Sequence, residues 1–294
     1  MIYDTFLFYN ELDLLEIRLN ELKDVVDKFV LVEGTVSHTN KPKKLFYNEN
    51  KKRFKKFKDK IIHVVVEDSP NVGMTWIIER HQLTAVERGL KNCKPEDVIL
   101  YSCVDEIPRP DKILEWKDKP GRLKAFSQTL CFYYLNFYTE SIKHSEHTTR
   151  MFKYKDLKKI FKDIYLTSYL PPDVEISDGG WHFSYMGGIK KIQQKLSSFA
   201  HQELNNDKYN TPEKIRKAIL LGNDPFGFGW KFKIGGIDML PLYVARNQNK
   251  FKDLILVEDS RGKTFFKIEL FLLDINHFLR IKLFRKINKF RNSF

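Results

Sequence analysis

An α/β fold around a mostly parallel sheet is what this sequence predicts, and three observations predict it. Early in the chain, runs of β-branched and aromatic residues alternate with amphipathic stretches, as in βαβ units. The stretches between those runs carry apolar residues at helical spacing. The 294 residues are 42% hydrophobic and 14% aromatic, enough to bury a sizeable core and too apolar for a disordered chain.

Each element has its own signal. Strands are expected at 2–8, 29–33, 61–66 and 97–103, all short runs rich in Val, Ile, Phe and Tyr. Asn10-Glu11-Leu12-Asp13 places acids in a first helical turn, and Leu12, Leu15, Leu19 and Leu22 share one face, so a helix is expected from Glu11 to about Lys23. Residues 41–60 hold ten Lys or Arg against two acids, with Phe46, Tyr47, Phe54 and Phe57 among them. That mixture suits a solvated helix burying an aromatic face, and it also suits a groove for nucleic acid. A further amphipathic helix is expected from about Thr75 to Leu90, giving the order β-α-β-α-β-α-β.

The second half is less regular. Pro171-Pro172, Gly179-Gly180, Gly187-Gly188 and Gly235-Gly236 read as turns between short segments. From His277 onward there are six Lys or Arg and no acid, which reads as a basic amphipathic helix able to touch an anionic membrane surface or pack on its own domain. The expected division is a main domain over 1–255 and a C-terminal basic helical segment over 256–294.

Composition narrows the function classes. Cys93, Cys103 and Cys131 are odd in number and widely spaced, which suits a reducing compartment better than a disulfide framework or a zinc knuckle. Charges interrupt every apolar run, so no spanning helix is expected, and the opening residues do not read as a signal peptide. A cytoplasmic protein, peripheral to a membrane at most, is the resulting expectation. The net charge of +13 implies an anionic partner. Nucleic acid is the poorer choice of partner, because no recognition motif is present and the carboxylates described next would repel phosphates without an intervening cation.

The chemistry concentrates after the fourth strand. Val98-Ile99-Leu100-Tyr101 runs into Ser102-Cys103-Val104-Asp105-Glu106-Ile107-Pro108, and open α/β sheets bind ligands beyond the carboxyl ends of their strands. Asp105 and Glu106 at such an edge need a metal or cationic partners, since isolated buried charge is prohibitively costly. Their oxygens suit Mn²⁺ or Mg²⁺ shared with a diphosphate, so both are candidate catalytic residues and Asp105 a candidate metal ligand. Pro108 and Pro110 stiffen the exit from the strand.

Six blocks, Ile2-Tyr3-Asp4, Tyr9 to Leu19, Phe29-Val30-Leu31-Val32-Glu33 with Lys41-Pro42-Lys43, Val104 to Pro108, Gly180-Trp181-His182-Phe183-Ser184 and Ser198 to Glu203, stand in one order along the chain. In these blocks the chain resembles glycosyltransferase family 17. The resemblance implies a GT-A-like fold, a UDP-sugar donor (UDP-GlcNAc in characterised members), inversion at the anomeric carbon and dependence on Mn²⁺ or Mg²⁺. The absence of the family's N-terminal anchor points to a glycan or glycolipid acceptor other than a secretory glycoprotein. The resemblance places Asn10, Glu11 and Glu33 around the uridine, although Glu11 serves equally well as a helix-start acid. It also makes His182 a candidate metal ligand or diphosphate donor, against the reading of a core histidine.

One position departs from the family pattern: Cys103 stands where an Asp-x-Asp motif has its first acid. A thiol is a softer ligand than a carboxylate and matches Mn²⁺ poorly, which raises the alternative of a catalytically impaired member that binds nucleotide or glycan without transfer. Cys103 also reads as a small buried strand residue. For the catalytic base, Glu203 is the first candidate and Asp178 the second. Trp181 and Trp230 are candidates either for stacking on sugars or for the core.

Overall fold

A computed structural model describes residues 1–256 except 143, 144 and 147. The expected C-terminal helix over 256–294 therefore lies outside the described residues, Leu256 aside. Among the described residues, no helix is long and apolar enough to cross a membrane.

The first half follows the expected order. Strands β1 (Ile2–Leu7), β2 (Lys28–Gly34), β3 (Ile61–Val66) and β4 (Val98–Cys103) pair in parallel in the order β3-β2-β1-β4. Helix α1 (Leu12–Leu22) joins β1 to β2, and its Leu15, Leu19 and Leu22 pack with Phe6, Phe29 and Leu31 of the sheet. Its opposite face is buried too, because Leu14 and Ile17 meet Val244 and Phe251 from the end of the described chain. Both faces are apolar because both are covered.

The basic run forms α2 (Phe46–Glu49) and a 3-10 helix over Lys51–Phe57. Tyr47, Phe54 and Phe57 are buried while Lys51, Lys52, Lys55 and Lys56 are exposed, so this is a solvated surface over an aromatic face. Helix α3 (Thr75–Thr84) tightens into a 3-10 turn, Ala85–Gly89, before β4.

The sheet is mixed, which corrects the expectation of a mostly parallel one. After β4 come β5 (Glu106–Pro108), α4 (Pro110–Trp116), β6 (Lys124–Phe132), β7 (Phe137–Thr139), β8 (Arg150–Lys153), the short α5 (Tyr154–Asp156), β9 (Val174–Ser184), α6 (Ile189–Ser198), α7 (Pro212–Leu221), β10 (Phe232–Ile234) and α8 (Leu242–Arg246). The sheet continues antiparallel from β4 through β8, β6 and β7 to β10. Only residues 133–136 join β6 to β7, and a link that short allows an antiparallel pair but no parallel crossover.

Gly179-Gly180 does not make the expected turn. Both lie inside β9, beside the register shift between Phe126 and Gln128 of β6. Gly180 has φ +145°, and a Cβ there would lie 2.2 Å from the Ile107 carbonyl oxygen, so glycine lets β9 close on β5. That pairing sets Glu106 opposite His182.

Candidate active site

The carboxyl ends of β1, β2 and β4 open onto one cleft of about 560 Å³. Phe8 and Tyr9 follow β1, His38 and Lys43 follow β2, and Cys103 ends β4 with Val104, Asp105 and Glu106 after it. Trp76 and Glu79 of α3, His182 of β9, and Lys195 of α6 complete the walls.

The turn after β4 is held from beneath by a buried arginine. Arg18 of α1 donates from Nε and Nη2 to the two Asp4 oxygens at 2.8 and 2.6 Å. The same guanidinium donates from Nη1 to the Cys103 and Glu106 carbonyls at 2.8 and 2.7 Å, and from Nη2 to Ser102 Oγ at 2.7 Å. Both side chains of the pair are fully buried. The planar fork explains the choice of arginine: one group satisfies a bidentate carboxylate and two turn carbonyls at once.

Above that support, Asp105 meets cations. Its Oδ2 accepts from Lys195 Nζ at 2.8 Å and lies 3.8 Å from His182 Nε2. Burial would raise the Asp105 carboxyl, but Lys195 and His182 outweigh it and hold the carboxyl below its ordinary value. Burial, with Lys195 nearby, shifts His182 down despite Asp105. Glu106 turns back to accept from the Cys103 N–H at 2.8 Å. Burial and the neighbouring Asp105 push its carboxyl up to about 8. The Cys103 thiol, raised by burial and then by Glu106 and Asp105, stays protonated.

The other expected residues divide. Asn10 and Glu11 line a smaller hollow beside Asp105 and Lys195. Glu11 Oε2 accepts from the Tyr9 and Asn10 N–H groups, which precede α1, and Glu11 lines the main cleft as well. Glu33 is fully buried and holds α2, accepting from the Tyr47 N–H at 2.9 Å, with His63 Nε2 3.2 Å away; it does not line the cleft. Glu203 is 61% exposed and pairs with His201 at 2.6 Å, and only His201 reaches the cleft wall. Asp178 is 64% exposed, bonds Arg109, and lies outside the cleft. Trp181 is core, with its Nε1–H donated to the Met239 carbonyl. Trp230 packs on Phe132 and Phe228 and does not line the cleft.

Trp76, Glu79 and Lys195 are among the cleft residues that were not singled out in the sequence. Trp76 is 42% exposed and meets His201 edge to face at 4.5 Å. Glu79, one turn further along α3, is pushed up to about 7 by burial. Lys195 was one lysine in a lysine-rich chain. The helical period of 75–90 could have set Trp76 and Glu79 on one face, but nothing in the sequence turns that face toward β4.

As its side chains stand, the Asp105 turn fits a divalent ion poorly, because a lysine already occupies it. Among the described residues, no three of His, Cys, Asp and Glu stand together as a metal-binding group. Asp105 and His182 are together, but the Asp105 oxygen that faces His182 already holds the Lys195 ammonium. An ion bound there would lie within about 5 Å of that ammonium, a repulsion of roughly 6–7 kcal/mol at an effective dielectric of about 20.

The profile of glycosyltransferase family 17 matches residues 1–231, a span that contains every wall of the cleft. The chain belongs to glycosyltransferase family 17. Among curated relatives, the human and rat β-1,4-mannosyl-glycoprotein 4-β-N-acetylglucosaminyltransferases are each 31% identical to it over 126 residues. That alignment covers 40% of this chain and 24% of the human protein, so the chain matches about a quarter of that relative's length. Among solved structures, a Pyrobaculum calidifontis mannosyltransferase in complex with GDP-Man and Mn²⁺ is 14% identical with a TM-score of 0.37, covering 60% of this chain and 56% of that one. The inositol-1-phosphate CTP transferase of T. maritima is 11% identical with a TM-score of 0.37, covering 60% and 85%. Likeness at this level says nothing about the chemistry of the cleft.

Proposed function

We propose that this family 17 member transfers GlcNAc from UDP-GlcNAc to a hydroxyl of a glycan or glycolipid, with inversion. The observation that carries the reading is the composition of one cleft: a cation-bearing carboxylate turn at the carboxyl ends of β1 and β4 faces an exposed tryptophan and a carboxylate poised near neutrality. The relatives' names support the choice of sugar.

The donor's diphosphate lies against the Asp105 turn, with Asn10 and Glu11 beside it. The acceptor sugar stacks on Trp76, whose exposed indole offers a flat apolar face. Glu79 takes the proton of the acceptor hydroxyl as that oxygen bonds to the anomeric carbon. The bond from that carbon to the diphosphate breaks with its electron pair on phosphate oxygen, and UDP departs. One displacement inverts the centre. Glu79 thus replaces Glu203 and Asp178 as the base, because it lines the cleft and they do not.

The experiment is a UDP-release assay with UDP-GlcNAc and a panel of oligosaccharide and glycolipid acceptors, comparing the wild type with Glu79→Gln. Acceptor-dependent release reduced at least 100-fold by the substitution is expected. Acceptor-dependent release that survives it at full rate removes Glu79 from the mechanism. Nucleotide binding with no release on any acceptor supports the impaired member instead.

A further inference from the structure

We infer that Lys195 is the resident cation of the donor site and does for the diphosphate what a divalent ion does elsewhere. The inference deepens the proposed function and rests on it, since it concerns how the nucleotide sugar is held.

Four observations carry it. The Lys195 ammonium sits 2.8 Å from Asp105 Oδ2 and 3.3 Å from Ser184 Oγ, at the end of the strand where the donor is placed. An ammonium has three protons, and two are taken by these oxygens, which leaves one for a phosphate oxygen. Its side chain is 28% exposed and lines the cleft, so the group is both fixed and accessible. Cys103 leaves the turn one carboxylate poorer than the Asp-x-Asp pattern, while Glu106 is occupied by the Cys103 N–H. The loss of an acid and the presence of a seated ammonium are thus two sides of one arrangement: the cation is covalently part of the chain, and fewer acids are needed to hold it.

The geometry also explains why Asp105 is kept. An ammonium on a four-carbon stem has many rotamers, and Asp105 with Ser184 selects one. Lys195 also lies 5.3 Å from the centre of the Tyr185 ring, which restricts it from a further side. As UDP leaves, its developing charge meets a cation already in position, which is the form of electrostatic stabilisation that needs no rearrangement during the reaction.

The test is calorimetric titration of the full chain with UDP, in EDTA and in Mn²⁺, for the wild type, Lys195→Gln and Lys195→Arg. The wild type is expected to bind UDP in EDTA, with Mn²⁺ changing the affinity less than 3-fold. Lys195→Gln should weaken binding in EDTA at least 30-fold, and Mn²⁺ should recover part of the loss, because the Asp105 oxygen is then open to a metal. Lys195→Arg should keep metal-free binding within 10-fold. Wild-type binding that appears only with Mn²⁺ would overturn the inference and leave the proposed function standing, as would unchanged binding by Lys195→Gln in EDTA. No UDP binding by the wild type in either condition would overturn both. Should Lys195→Gln fail to fold, the wild-type comparison decides alone.

Discussion

Glu79 stands 3.7 Å from His38 Nδ1 in the wall of the cleft, and the imidazole is uncharged near neutrality. Burial, with Lys43 nearby, pushes His38 down to about 4, so no imidazolium is present to draw the proton off Glu79. Burial alone pushes Glu79 up to about 7. A base must be deprotonated to act, so the transfer rate should rise with pH up to about 7 and level above it. The pH profile of kcat/KM checks this, and Glu79→Gln should remove the acidic limb along with at least 99% of the rate.

Arg18 should be as important to the fold as to the site. Arg18→Met leaves Asp4 buried without its partner and frees the carbonyls of the 103–106 turn. Breaking a buried pair from one side costs about 3–5 kcal/mol. Urea unfolding should show a loss of that size, and the double variant with Asp4→Asn should recover at least a third of it. Equal stability of the wild type and Arg18→Met would refute the clamp.

Acid should loosen the end of the described chain. Glu16 of α1 bonds Lys250, Tyr243 and Arg53. Burial would raise its carboxyl, but these partners hold it down from 4.5 to about 2. A depressed carboxylate contributes stability that is present above pH 4.5 and is lost as pH falls towards 2, here at most about 3 kcal/mol. Glu16→Gln should lower the Tm at pH 7 and flatten its dependence on pH below 4.5. A wild-type Tm with the same acid slope as the variant would rule this out.

Trp76 should govern the acceptor and spare the donor. Trp76→Ala is expected to raise the KM for the acceptor about 10-fold while leaving UDP affinity within 2-fold, and Trp76→Phe should fall between. A change in UDP affinity as large as the change in acceptor KM would place Trp76 on the donor side.

We further propose that the protein works in the cytoplasm and that its basic tail touches anionic membrane. Removing residues 277–294 should abolish sedimentation with phosphatidylserine vesicles at 0.1 M salt, and unchanged sedimentation would exclude the tail as the contact.

Much of the parallel half was legible because its signals are local. Val98 to Tyr101 is a strand in isolation, and Leu15, Leu19 and Leu22 are a helical face in isolation. The Asp105 turn was legible for the same reason, and its need for a cation followed from its charge. The identity of that cation was not, because Lys195 lies ninety residues away and reaches Asp105 only through the pairing of β5 with β9 and the turn into α6. Glu33 misled because a buried carboxylate that caps α2 looks the same in sequence as one that binds a ligand. Gly179-Gly180 misled because a bulge and a turn use the same residue for the same backbone freedom.

The most direct measurement is a crystal structure grown with UDP-GlcNAc. Diphosphate density beside Asp105 and within hydrogen-bond reach of Lys195 Nζ is the expected result, with the sugar turned towards Glu79 and Trp76. Donor density elsewhere on the molecule, or a cleft that stays empty at saturating UDP-GlcNAc, would contradict the assignment of this cleft as the site of transfer.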